Sequence, residues 1–387
     1  MAESATLKPM TVAVSTSRFA DAVYRDRLRR AAEEAAARDI EALLITPSVD
    51  YAYLLGYRAP AMERLTCLII PAEGDLSLVV PHVEETLARH ELGELADELA
   101  IVPWDETEDP FWIVRDLLEG RVMRAGVQDQ MWARFVLRLR AALDPIELVE
   151  AGPAIGALRR IKTPDEVDRL RLAARAADEA MDQIRGERFA GRTERELSAR
   201  MRELLIEAGH QSADFAIVGS GPNSASPHHE PDDRPIAAGD PVVLDIGGVR
   251  DGYASDTSRT VFVGEAPREF AILYDVLQRA QLAACTAVAP GVSAEEVDRA
   301  ARRLISEGGY GDAFIHRTGH GIGMETHEEP YIVDGNGELL RPGHAFSIEP
   351  GIYVTGEWGA RIEDIVVCTE DGSEVLNRSS RELIVVD

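Results

Sequence analysis

The sequence predicts two domains of different class, a smaller α/β domain over residues 1–158 and an α+β domain over 159–387 whose two halves repeat each other. Three observations carry this. A length of 387 residues exceeds the usual reach of one hydrophobic core. Residues 20 to about 150 alternate helical and strand patterns. Segment GRTERELSARMRELLIEAG (191–209) aligns without gaps on GVSAEEVDRAARRLISEGG (291–309).

Taken in order, the first domain reads as a charged helix from Asp21 to Arg38, apolar runs at Ala42 to Ile45, Leu65 to Ile70 and Leu76 to Val80, and a helix from Val83 to Leu92. The boundary falls near 155–163. A new helix starts there, with Thr163 to cap it, Pro164 at its first position and Glu166 to complete a capping box.

In the second domain the aligned segments read as amphipathic helices ended by Gly209 and Gly309. Each is followed by a His-containing loop, PHHEP (227–231) and THEEP (326–330), which pairs His228 with His327. Two strands follow each loop. GDPVVLDIG (239–247) matches GHAFSIEPG (343–351), setting Asp245 against Glu349, and GYASD (252–256) matches GARIE (359–363), setting Asp256 against Glu363. Each half therefore donates two carboxylates and one histidine, and a pseudo-twofold fold with a site on its axis follows.

Composition excludes several functions. A net charge of −27 with no basic cluster argues against nucleic acid. Lysine occurs only at Lys8 and Lys162, which removes Schiff-base and P-loop chemistry. No apolar stretch approaches the ~18 residues of a membrane span, and Met1 to Met10 has no secretion signal, so a cytoplasmic protein is expected. Cys67, Cys285 and Cys368 are far apart in apolar runs and read as buried hydrophobes.

Asp245 and Asp256 flank Val249-Arg250-Asp251-Gly252, a hairpin signal, and this symmetry predicts that they face each other with Cβ atoms roughly 4.5–5.5 Å apart. Glu349 and Glu363 repeat the arrangement around a longer turn near Gly356. Asp245 and Glu349 lie inside apolar strands, where an unpaired charge is costly. Four converging carboxylates need a cation or raised pKa values, and two divalent ions about 3.5–4 Å apart suit them. His320, in GHGIG (319–323), is the fifth ligand candidate. An oxygen-rich, sulfur-free set favours Mn²⁺ and admits Co²⁺, Zn²⁺ or Fe²⁺.

The ordered set PHH (227–229), LDIGGVRDGYASDTSRT (244–260), GHGIG (319–323), HEEP (327–330), FSIEPGIY (346–353) and RIED (361–364) resembles the pita-bread metallopeptidases, the family of Xaa-Pro dipeptidase (prolidase), aminopeptidase P and methionine aminopeptidase. The first domain resembles the creatinase-type domain that precedes the catalytic domain in the Xaa-Pro branch. The resemblance implies two metals held by Asp245, Asp256, His320, Glu349 and Glu363, with Asp256 and Glu363 bridging. It implies a homodimer, for which Tyr57 to Arg64 is the candidate contact. It places His228 and His327 at the substrate and the tetrahedral intermediate, and matches Arg361 to an arginine of the Xaa-Pro branch.

The expected reaction is hydrolysis of the bond before proline in small peptides. Glu349 serves as general base, and His228 and His327 serve the oxyanion and proton transfer. The alternative for both histidines is loop hydrogen bonding, while His229 and His316 read as supporting groups. An amidase acting on a small non-peptide metabolite and a non-catalytic binding protein remain alternatives on the same scaffold. Several dipeptidases of the family carry an arginine directly after the HExP segment, where this chain has Tyr331. The proline ring is expected near His228, His327 and Tyr331, and Xaa-Pro-Yaa tripeptides are expected to be cleaved within about tenfold of dipeptides.

Overall fold

The computed structural model describes residues 18–118 and 122–387. Met1 to Met10, with Lys8, lies outside the described residues. Two compact units meet in sequence at Lys162 and Thr163.

The first unit is built on a mixed six-stranded sheet. Its order is Ala100–Trp104, Ser77–Pro81, Cys67–Pro71, Ala42–Ile45, Arg124–Val127, Glu147–Glu150. Alternate residues Ala42, Leu44, Cys67, Ile69 and Val79 pack against Phe111, Val114 and Leu118 of helix Pro110–Leu118 and Phe135 and Leu139 of helix Ala133–Leu143. The expected helices occur at Asp21–Ala36 and His82–Leu92. Tyr57 is buried, and most of residues 58–64 are exposed or half-buried coil.

The second unit opens on helix Pro164–Ile184, where Thr163 and Glu166 form the capping box expected of them. The duplication is visible in detail. Helices Glu194–Glu207 and Ala294–Glu307 both start from capping boxes, Thr193 with Glu196 and Ser293 with Glu296. Isolated bridges Thr193–Pro235 and Ser293–Leu339 sit at equivalent places. Gly191 and Gly291 have φ of 85° and 86°, and Gly209 and Gly309 have 97° and 87°.

The first half contributes Tyr253–Val263, Pro241–Arg250 and Ser212–Ser220 to a four-stranded sheet in the order Ile384–Val386, Tyr253–Val263, Pro241–Arg250, Ser212–Ser220, whose edge strand Ile384–Val386 comes from the C-terminal end of the chain. The second contributes Glu328–Ile332, Gly319–Gly321, Ala345–Ile348, Asp364–Thr369, Gly372–Val375, with hairpin Gly351–Val354/Trp358–Arg361 beside it. Strand periodicity decides which side chains reach the site. Val242, Leu244 and Ile246 join Met181, Leu197 and Met201 in one core, which turns Val243, Asp245 and Gly247 to the opposite face. Phe346 and Ile348 likewise join Phe270, Leu277 and Val297 in a second core, which turns Ser347 and Glu349 away from it.

One register differs from the sequence expectation. Asp251 and Gly252, at φ 49° and 83°, form a two-residue turn between Arg250 and Tyr253, so Asp245 pairs with Ser258 and Gly247 with Asp256. The two aspartates share a face but are diagonal neighbours rather than directly opposite. In the second half the register is symmetric about Gly356, as expected, from Gly351–Arg361 through Ile348–Asp364. Glu349 and Glu363 occupy the break between those two ladders.

Candidate metal centre

Asp245, Asp256, His320, Glu349 and Glu363 line one cavity of about 450 Å³, together with His228, His316, His327, Phe215, Ile217, Pro227, Arg317 and Arg361. Asp256, His320 and Glu363 each offer a ligand atom within 4.8 Å of the others. The glycines of GHGIG permit this approach. A Cβ on Gly319 would stand 1.8 Å from the Ser347 carbonyl oxygen, and one on Gly321 would stand 2.2 Å from that of Glu329.

His320 is 2 % exposed, and its backbone N–H donates to Ser347 Oγ at 3.0 Å. Its Nδ1 lies 3.1 Å from the Gly321 carbonyl and donates to it, which leaves the Nε2 lone pair facing Glu349 Oε1 at 3.3 Å and Asp256 Oδ2 at 3.6 Å. A lone pair directed at carboxylate oxygens is repulsive unless a proton or a cation stands between them.

The carboxylates make the same case. Arg361 Nη2 donates to Asp245 Oδ2 at 2.6 Å, and Ser258 Oγ donates to Glu363 Oε2 at 2.8 Å. The other oxygen of each, Asp245 Oδ1 and Glu363 Oε1, is buried with no hydrogen-bond partner. Burial first, and then the neighbouring carboxylates, push Asp256 and Glu363 well above the usual carboxylate range. Burial raises Glu349 to about 7, and burial followed by His327 lowers His320 to about 3. Unpaired buried oxygens, a neutral imidazole and an all-oxygen-and-nitrogen donor set fit divalent cations.

Supporting residues come from several elements. Arg361, 3 % exposed, also donates through Nε to Ser258 Oγ and through Nη1 to Tyr353 Oη, both at 2.8 Å. It thus braces Asp245 directly and Glu363 through Ser258. Tyr353 Oη lies 3.1 Å from His316 Nε2, and His316 Nδ1 lies 2.7 Å from the Arg317 carbonyl, so His316 donates to Arg317 and accepts from Tyr353. Arg259, 1 % exposed, donates to the Ser258 and Glu363 carbonyls and to Asp364.

Glu194 anchors the loop that carries His228. It accepts from Ser220, Asn223 and the Asp232 N–H, and lies 2.6 Å from His229 Nε2. With its oxygens so occupied, the Glu194, His229 and Asp232 group is a structural clamp.

His228 and His327 stand exposed on the cavity wall, and neither ring makes a hydrogen bond among the described residues. The His327 ring centroid lies 4.0 Å from that of His320. Burial, and then the charge of Arg317, lowers the His327 pKa. Tyr331 is not part of the lining, contrary to the sequence expectation; its ring lies beneath the Arg317 guanidinium, 4.3 Å from the centroid. Ser258, Phe215, Ile217 and Arg317 escaped the sequence reading. A period-two count would have placed Ser258 on the face of Asp256, and Phe215 and Ile217 lie opposite Gly247 and Asp245 on the neighbouring strand.

Comparison with known proteins matches residues 168–370 to Metallopeptidase family M24 and residues 27–161 to the Creatinase/Prolidase N-terminal domain. The chain is 45% identical over 375 residues to the probable dipeptidase PepE of Mycobacterium tuberculosis, covering 96% of this chain and 99% of that protein. The crystal structure of dipeptidase PepE from Mycobacterium ulcerans is similar with a TM-score of 0.91 at 44% identity, over 96% of this chain and 100% of that one. A prolidase from Thermococcus sibiricus gives 0.87 at 36% identity, over 94% and 99%.

Proposed function

Because the chain belongs to metallopeptidase family M24, we propose that it is a dinuclear hydrolase that cleaves the peptide bond before proline in small peptides. The observation that carries this reading is the convergence of five ligand candidates, two with orphaned buried oxygens, on a cavity that also presents two uncommitted imidazoles. Asp245, Asp256, His320, Glu349 and Glu363 would hold two divalent cations, with Mn²⁺ our assignment from the donor set. When bound, such cations supply Lewis acidity toward the scissile carbonyl and lower the pKa of the attacking water.

The chain's own groups do the rest. Glu349 Oε1, 3.3 Å from His320 and facing the cavity, accepts the proton of the attacking water and passes it to the departing nitrogen. His327 and His228 donate to the oxygen on which charge develops. Arg361, fully engaged with Asp245, Ser258 and Tyr353, acts as a positioning residue for the ligands. Phe215 and Ile217 offer apolar walls for a proline ring, whose nitrogen has no hydrogen to satisfy.

The reading is tested by loading the protein with Mn²⁺ and measuring hydrolysis of Ala-Pro, Ala-Ala and small cyclic or N-substituted amides. Ala-Pro is expected to be the preferred substrate, with two ions per chain, and chelation is expected to abolish turnover until Mn²⁺ is restored. Preference for a non-peptide amide would move the assignment to an amidase. The same reading includes a homodimer contacting through Tyr57 to Arg64. Sedimentation at working concentration is expected to show two chains, and a fully active monomer would exclude the contact.

A further inference from the structure

Asp245 and Glu349 hold matching places in the repeat but are supported differently. Asp245 lies inside an unbroken ladder, opposite Ile217 on one neighbouring strand and Ser258 on the other. Glu349 lies between strands Ala345–Ile348 and Gly351–Val354 and belongs to neither. The Gly321–Phe346 pairing, continued three residues along each strand, brings Thr318 opposite Glu349, and the Thr318 carbonyl accepts the Glu349 N–H at 2.8 Å. Thr318 therefore stands where the first half has Ile217.

Thr318, fully buried, is itself held by a charge that does not line the cavity. Asp298, on helix Ala294–Glu307, is fully buried between the core residues Val297 and Ala301. A carboxylate in such surroundings is costly unless its oxygens find donors. Two residues supply them. Arg302, one turn along the helix, donates through Nε at 2.8 Å and Nη2 at 3.0 Å, and Thr318 donates through Oγ1 at 2.7 Å and its N–H at 3.2 Å. Arg302 also donates to the carbonyls of Phe314 and His316, at 3.2 and 2.9 Å. The pair thus clasps residues 314–318, the segment that leads into His320.

The first half keeps the helix and lacks this clasp. Asp298 and Arg302 align with Ser198 and Arg202. Ser198 Oγ donates to the Ala216 carbonyl and Arg202 Nη1 to that of Ala213, both at 2.6 Å, and Ile217 has no hydroxyl. Both helices start from capping boxes, so building the repeat requires neither the carboxylate nor the hydroxyl. They occur together, in the half whose site carboxylate stands outside the ladder.

We propose that Asp298 and Thr318, with Arg302, are positioning residues for Glu349, fixing the backbone from which its side chain reaches the metals and the attacking water. This deepens the reading of Glu349 as ligand and base and rests on it. Partners behind a ligand set its orientation, and their loss is felt as weaker metal binding.

The test measures Mn²⁺ affinity by competition with a chelator, and turnover of Ala-Pro at saturating Mn²⁺. Thr318→Val removes the hydroxyl from a side chain of similar shape. It is expected to bind Mn²⁺ about tenfold more weakly, with kcat about tenfold lower and KM within about twofold. Thr318→Ser, which keeps the hydroxyl, should stay within about twofold of wild type, and Asp298→Ala should lose at least as much as Thr318→Val. Ser198→Ala, at the matching place in the other half, should change affinity less than about twofold, because the ladder holds Asp245. The deciding measurement repeats Thr318→Val in a Glu349→Ala background, where it should weaken Mn²⁺ binding no further. A full tenfold loss in that background, an equal loss from Ser198→Ala, or wild-type affinity in Thr318→Val would each overturn the proposal. Glu349→Ala that binds Mn²⁺ as tightly as wild type would remove Glu349 from the ligand set, undoing the underlying reading and the proposal with it.

Discussion

Asp256→Ala is expected to lose bound metal and at least ~10³-fold of kcat/KM together, because it removes a proposed bridging ligand, and lesser changes around a ligand already cost about 10–100-fold. Full activity would sink the ligand assignment. A second readout separates ligation from folding. Asp256 is 5 % exposed, and burial followed by Glu363, Asp245 and Glu349 holds its pKa far above the ordinary value of 3.8. A carboxyl whose pKa is raised by folding contributes stability below its unfolded pKa, and that contribution is lost as pH rises. The metal-free protein is therefore expected to weaken from about pH 4 upward. Asp256→Asn should melt no lower than wild type in chelator at pH 7, and well below it when both are offered excess Mn²⁺. A metal-free variant that melts far below metal-free wild type would mean that Asp256 is a structural residue.

His327→Ala is expected to keep its metal while kcat falls by roughly 10²-fold or more, the scale of a positioned proton-transfer or oxyanion group. The geometry separates it from His320. His320 is buried, with its free nitrogen directed at Glu349 and Asp256, whereas His327 is exposed on the cavity wall with no hydrogen bond to the described residues. Its lowered pKa keeps the ring neutral near pH 7, with one N–H to donate. KM should move less than kcat, since the contact strengthens as charge develops on the carbonyl oxygen. Loss of metal in His327→Ala would make it a ligand and undo the division between the two histidines.

What the sequence made legible is what depends on nearby residues or on repetition. The Thr163 capping box is spelled out within four residues, and the duplication follows from one ungapped alignment; the boxes at Thr193 and Ser293 have the same local spelling but emerged only with the structure. The register of the first hairpin was not legible. Asp-Gly marks a turn, but whether Arg250 belongs to that turn or to the strand is decided by its pairing with Tyr253. One misplaced strand end turned diagonal aspartates into opposed ones. The supporting residues were harder still. Arg259 meets the Glu363 carbonyl, Glu194 meets His229, and Arg317 meets Tyr331 only once distant segments pack, and nothing in their own neighbourhoods announces it. Arg361 was placed by resemblance alone, and its bond to Asp245 became visible only in the fold.

On the proposed assignment of Asp245 and Glu363 as ligands, their anchoring by one oxygen each, through Arg361 and Ser258, also bears on how ions would be captured. Each side chain has already surrendered its rotamer freedom before any ion arrives, and the tether that fixes one oxygen aims the other. Little ordering then remains at the moment of capture, so the binding free energy appears as affinity rather than being consumed in immobilising ligands. The conformational cost was met when the chain folded, and it is carried by the buried cores on the outer faces of the two sheets. Substitutions deep in those cores, far from any ligand, can therefore loosen the grip on metal without touching the first coordination contacts.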